Sequence, residues 1–222
     1  MASFSKICFS WLFIGVFFIP YMLKADIAPL QATGGAVAAK SKHETIRMAA
    51  EEVTIRLEKD SYAVEAVFHM HNSGETTTMR VGFPKGDERI RPELGGFPEF
   101  TQFHAWVDGK KVGFSNENDC WLAAQVTFPG NATTTVRILY EANYYRGLLA
   151  SYIVGTGSLW KDSIGKAAFI VDGTAIGGSK EFSASLDAPN SRRLLTEHAL
   201  RIEANNYAPD PKTVMRVEIR RP

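Results

Sequence analysis

Apolar and polar residues alternate with period two through much of the chain. In residues 51–58 the apolar set is Val53, Ile55 and Leu57, with Thr54 and Arg56 between them. In residues 62–70 it is Tyr62, Val64, Ala66, Phe68 and Met70, and in 76–83 it is Met79, Val81 and Phe83. Alternation rich in β-branched and aromatic residues predicts antiparallel strands with one buried face. A one-residue slip would turn a strand's apolar set outward, so matching faces predicts registers. A turn at Asp60-Ser61 sets Leu57 opposite Val64, Ile55 opposite Ala66 and Val53 opposite Phe68. A turn at Ser73-Gly74 sets Phe68 opposite Met79 and Ala66 opposite Val81, which makes the three segments a meander.

Residues 84–99 hold three prolines, three glycines and seven charges, a composition that predicts a long surface loop. Strands then resume. Asp108-Gly109 is a two-residue turn signal for a tight hairpin. Pro129-Gly130-Asn131 separates two further apolar runs, and a hairpin there would set Val126 opposite Thr134 and Leu122 opposite Ile138. Further strands are expected at 150–154, 167–171, 182–186, 200–204 and 214–219, with weak helical periodicity only around 192–198. Many short strands at turn-punctuated spacing predict an all-β fold, an antiparallel β-sandwich, with two packed β-modules as the alternative.

The first 25 residues have a different character. Lys6 precedes an uncharged apolar run from Ile7 to Leu23, Pro20 interrupts it, and Ala25 suits the last position before a cut. That layout predicts a secretory signal peptide at 1–25, a loose leader at 26–42 and a sandwich domain at 43–222. The product is then exported, periplasmic or extracellular, without stable membrane insertion after cleavage. Removing 1–25 takes Lys6, Lys24 and no acid, leaving 23 basic against 24 acidic side chains. Such balance provides no electrostatic footprint for nucleic acid. Cys8 leaves with the signal and Cys120 stands alone, so no intramolecular disulfide supports the mature fold.

Candidate chemistry is sparse. His69 and His71 share a strand face, and the register above sets Glu52 opposite His69. A His-x-His pair with a carboxylate suits zinc or copper, but the same spacing describes an ordinary solvated face beside an Arg56–Glu65 pair. No cofactor is otherwise implied. Trp106, Trp121, Trp160 and the Tyr144-Tyr145 doublet are either core residues or a platform for a glycan or protein partner. Tyr144 and Tyr145 alternate faces, so at most one is a core residue. The 84–99 loop, with Arg89 and Arg91, is the other candidate binding element, because rigid scaffolds present binding residues on loops. The Ser-x-x-Lys string at Ser158–Lys161 lacks the Ser-Asp-Asn and Lys-Thr-Gly partners of penicillin-binding enzymes.

Three stretches together resemble an uncharacterised family of exported bacterial proteins, a domain of unknown function. They are Gly34-Gly35 followed by "IRMAAEEVTIRLE", then "VEAVFHMHNSGETTTMRVGFP", and later "YIVGTGSLWKDSIGKAAFIV". The resemblance spans roughly residues 34–171 and implies an exported β-rich domain, with no catalytic residues attached. Within it, Gly157 and Gly165 fit positions that need unusual backbone angles, and Trp160 fits a lid on one end of the core. These readings converge on an exported, non-catalytic sandwich with a binding or envelope-associated role. A metal-binding protein and an extracytoplasmic hydrolase are the alternatives.

Overall fold

The computed structural model describes residues 38–39, 44–84, 100–118, 121–145, 148–210 and 213–220. The expected signal at 1–25, nearly all of the leader, the loop carrying Arg89 and Arg91, and Cys120 lie outside the described residues. In chain order the strands are β1 (Ala38–Ala39), β2 (Ile46–Leu57), β3 (Ser61–Asn72), β4 (Thr77–Pro84), β5 (Phe100–Val107), β6 (Lys110–Val112) and β7 (Ser115–Asn118). They continue as β8 (Trp121–Phe128), β9 (Ala132–Asn143), β10 (Leu149–Ile153), β11 (Ile164–Asp172), β12 (Phe182–Ser185), β13 (Arg192–Leu195), β14 (Ala199–Tyr207) and β15 (Val214–Ile219).

Eight strands form one wide sheet in the order β13-β14-β11-β2-β3-β9-β5-β6. A four-stranded sheet, β1-β4-β8-β7, and a three-stranded sheet, β10-β15-β12, supply the remaining strands. The fold is therefore an all-β sandwich, as the alternation predicts. Its pairs are antiparallel except β2–β11, which run parallel. That pair joins an amino-terminal half, built from β1–β9, to a carboxy-terminal half built from β10–β15. The two halves thus share one continuous sheet and one core cluster.

The β2–β3 hairpin forms, but two residues tighter than face matching predicts. Leu57 pairs with Tyr62, Ile55 with Val64 and Val53 with Ala66. A two-residue shift keeps every apolar side chain on its face, so alternation alone does not resolve it. The meander does not extend to β4. After Asn72 the chain crosses to the other layer, where β4 pairs with β8, while β9 takes the place beside β3. Asn72 directs this crossing. Its amide donates to the Glu75 and Phe128 carbonyls at 2.7 and 3.0 Å, and its Oδ1 accepts from Gly74 N–H at 2.9 Å.

The segment at 129–131 is likewise a crossing between layers and not a hairpin: β8 and β9 belong to different sheets. The two crossings lie against each other, with Gly130 N–H donating to Thr76 Oγ1 at 3.0 Å. A Cβ on Gly130 would sit 2.8 Å from the Gly74 carbonyl oxygen, so this approach requires glycine. The Asp108-Gly109 hairpin forms as expected, both residues having positive φ. The weak helical periodicity at 192–198 is overturned: β13 occupies Arg192–Leu195, and its tight return to β14 pairs Leu195 with Leu200.

Candidate functional site

The metal set suggested by the histidines does not assemble. The tighter hairpin sets Ala50 opposite His69, and Glu52 opposite Val67. Glu52 turns instead toward Arg201, 3.5 Å away. The His69 and His71 rings lie on the outer face of the wide sheet, within 3.2 and 3.3 Å of the Thr135 and Thr133 hydroxyls. Among the described residues, no group of three or more His, Cys, Asp or Glu side chains converges on one point. The Arg56–Glu65 pair does form, diagonally at 2.9 Å, and Arg137 joins it from β9 at 2.8 Å.

The aromatic candidates divide. Trp160 is 1% exposed and meets Phe128 edge-on, while Trp121 is packed against Gly82. Both are core residues. Tyr144 is buried against Tyr62 with its hydroxyl on the Glu58 carbonyl, whereas Tyr145 is partly exposed. Trp106 lies on the outer face, half-buried, with the Arg137 guanidinium 4.6 Å from its ring centre. Gly157 and Gly165 do not adopt positive φ. Gly165 is needed for close approach, since a Cβ there would run into the Ala49 carbonyl oxygen, whereas at Gly157 it would meet the end of the Ile164 side chain at 2.8 Å. Ser158 donates to the Gly155 carbonyl at 2.6 Å, which absorbs the hydroxyl of the Ser-x-x-Lys string in a local turn.

The most perturbed acid is one that the alternation already exposes. Glu51 has the parity of Val53, Ile55 and Leu57, so it faces the core, and it is 2% exposed. Tyr152 donates to Glu51 Oε1 at 3.0 Å, while Oε2 has no hydrogen-bond partner among the described residues. Burial pushes the Glu51 carboxyl up to about 8, against the lowering effect of the Tyr152 hydrogen bond. Burial likewise raises the Tyr152 phenol well above its usual range, with nearby Glu51 adding to the effect. The pair lies at the β2–β11 seam and is closed to ligand.

An accessible site lies in the carboxy-terminal half. An open cleft of about 560 Å³ is lined by Ser185, Asp187, Arg193, Asp210, Thr213 and Arg216, over an apolar floor of Ala184, Leu186 and Val214. It exists because β12 leaves β15 early. Their ladder runs from Phe182–Ile219 to Ser185–Arg216 and stops. The next carbonyls of the departing chain are captured from the wide-sheet side. Arg193 donates to the Leu186 oxygen at 3.0 Å, and Tyr207 Oη donates to the Asp187 oxygen at 2.7 Å.

The consequence for β15 follows from alternation along a strand. Ile219 N–H and the Thr213 carbonyl bond toward β10, whereas Arg220 N–H bonds toward the β12 side. Val214 has the parity of Arg220, so its N–H and C=O point into the cleft, toward the position the chain vacates at Asp187. The cleft therefore combines a bare stretch of strand edge, two guanidinium groups and two carboxylates. Alternation did not reveal it, since each of these residues alone reads as an ordinary surface position.

No family model and no curated protein matches the chain. Among solved structures, a Legionella pneumophila protein provisionally named as nutrient-binding is similar over 84% of this chain and 70% of its own, with 17% identity and a TM-score of 0.63. An M1 zinc metallopeptidase from Deinococcus radiodurans, bound to a Tyr-Ser-Ala substrate, aligns with 85% of this chain at 7% identity and a TM-score of 0.46. The chain spans 45% of that peptidase. At these identities the likeness to the Legionella protein is one of fold. Among the described residues, no helix is long and apolar enough to cross a membrane.

Proposed function

We propose that this protein is an exported, non-catalytic binding protein that holds a small polar ligand in the Arg193–Arg216 cleft. The observation that carries this reading is the cleft itself: an accessible concavity with charged groups of both signs on a rigid two-layer scaffold. The name of the Legionella protein points the same way. Export is supported by the signal-peptide layout of residues 1–25.

A panel of amino acids, short peptides, sugars and phosphate esters, screened by thermal shift on the purified full chain, tests the binding role. A ligand that raises Tm and perturbs the backbone amides of Ser185, Thr213 and Val214 is the expected result. A panel without such a ligand at millimolar concentration defeats it. Fractionation of the producing cell, with the amino terminus of the exported form read by mass spectrometry, tests cleavage after Ala25.

A further inference from the structure

The chemistry of the cleft defines a ligand class, on the assumption that the cleft is a binding site at all. We infer that it takes a zwitterionic α-amino-acid unit, as a free amino acid or as the end of a short peptide. Three features converge on this assignment. The Val214 N–H and C=O face the cleft as a strand edge does, and a main-chain-like ligand pairs with both at once. That pairing would restore the rung lost when the Asp187 carbonyl turns to Tyr207.

Charge forms the second feature. The Arg216 side chain has no ion-pair partner among the described residues, and Arg193 spends one nitrogen on the Leu186 carbonyl while keeping others. Guanidinium groups bind carboxylates through paired N–H donors. The Asp187 carboxylate also lines the cleft and complements an ammonium group. A purely anionic ligand would leave the Asp187 carboxylate unanswered.

The lining supplies the third feature. The apolar residues in it are Ala184, Leu186 and Val214, which suit a compact aliphatic side chain. Among the described residues no aromatic ring lines the cleft to offer the stacking surface that sugars use.

Isothermal titration of the full chain with alanyl-alanine, its C-terminal amide, its N-acetyl form and free alanine tests the assignment, with glucose as the uncharged probe. The free dipeptide or free alanine should bind, and amidation of the dipeptide should weaken binding at least tenfold. The Arg216→Ala variant should lose at least tenfold for the free acid and little for the amide. Arg216 is exposed and holds none of the carbonyls that open the cleft, so its Tm should stay close to wild type. Val214→Pro, which removes the N–H, should weaken acid and amide alike; if it fails to fold, the arginine variant carries the test. Equal binding of acid and amide, or an unchanged arginine variant, overturns the amino-acid assignment. Binding of glucose alone at Ser185 and Thr213 overturns it while leaving the cleft a binding site. No ligand at the cleft removes both readings.

Discussion

The two halves of the sandwich solve the same problem with different margins. In the amino-terminal half the covering strands meet a dense aromatic layer, with Phe83 5.4 Å from Phe103 and 5.7 Å from Tyr140. In the carboxy-terminal half the cover has three strands, its edge strand β12 is four residues long, and the cleft opens where that strand ends. The first half is closely packed around Phe83. The second is left ajar by two hydrogen bonds that draw the chain away from β15. Under the proposed binding role, stability and recognition are divided between the halves, with the parallel seam between them.

The contrast is easiest to break by truncation. Phe83 is fully buried, and Phe83→Ala is expected to cost about 3–5 kcal/mol in urea unfolding. Leu186→Ala, on the cleft wall where water enters the vacated space, should cost about 2 kcal/mol. Equal costs would mean that the two halves are packed alike.

The seam adds a pH signature. The carboxyl of Glu51 is raised from 4.5 to about 8 in the folded protein, so between those values the native state holds a proton that the unfolded chain has lost. Stability therefore falls as pH rises through this window, by at most about 1.4 kcal/mol per unit, and levels off above about pH 8. Glu51→Gln should flatten the slope and leave the variant at least as stable as wild type at pH 7.5. An unchanged slope in the variant would place the pH sensitivity elsewhere.

Smaller effects follow. Gly165→Ala drives a Cβ against the Ala49 carbonyl and should cost about 1–3 kcal/mol, read as a fall in Tm. Arg137→Ala removes an exposed ion pair and the contact with Trp106, worth about 0.5–1 kcal/mol together. The pair of substitutions His69→Ala and His71→Ala should change stability by less than about 0.5 kcal/mol, as expected on a solvated face. Their metal content, measured on protein purified without chelator, should equal that of wild type; a stoichiometric metal lost with the histidines would reopen the metal reading.

Period-two alternation identified the strands and their faces, because it reports which side of a strand meets the core. It reports nothing about which sheet the strand enters. A hairpin and a crossing between layers both present apolar residues inward, so Ser73-Gly74 and Pro129-Gly130-Asn131 satisfied the hairpin reading equally well. The direction at the first of these depends on what Asn72 holds, a long-range matter that involves Phe128. Glu51 was legible, since its parity alone places an acid inside. The two-residue tightening of the β2–β3 hairpin was not, and it is what separates Glu52 from His69. The cleft was hidden for another reason: its walls come from three separate segments, and its opening depends on carbonyls captured by Arg193 and Tyr207.

The seam also constrains the order of events during folding. Arg47 on β2 donates to the Ser163 carbonyl 116 positions later, and the edge of β2 is covered only when β11 arrives. Until then the amino-terminal half carries a twelve-residue strand with an open edge and an apolar inner face. Such an edge invites pairing with another chain, and joining distant strands is slow. A chain truncated before β11 is therefore expected to aggregate rather than persist as a smaller domain. In the cell, the second half would act as the first half's built-in edge guard before its cleft meets any ligand.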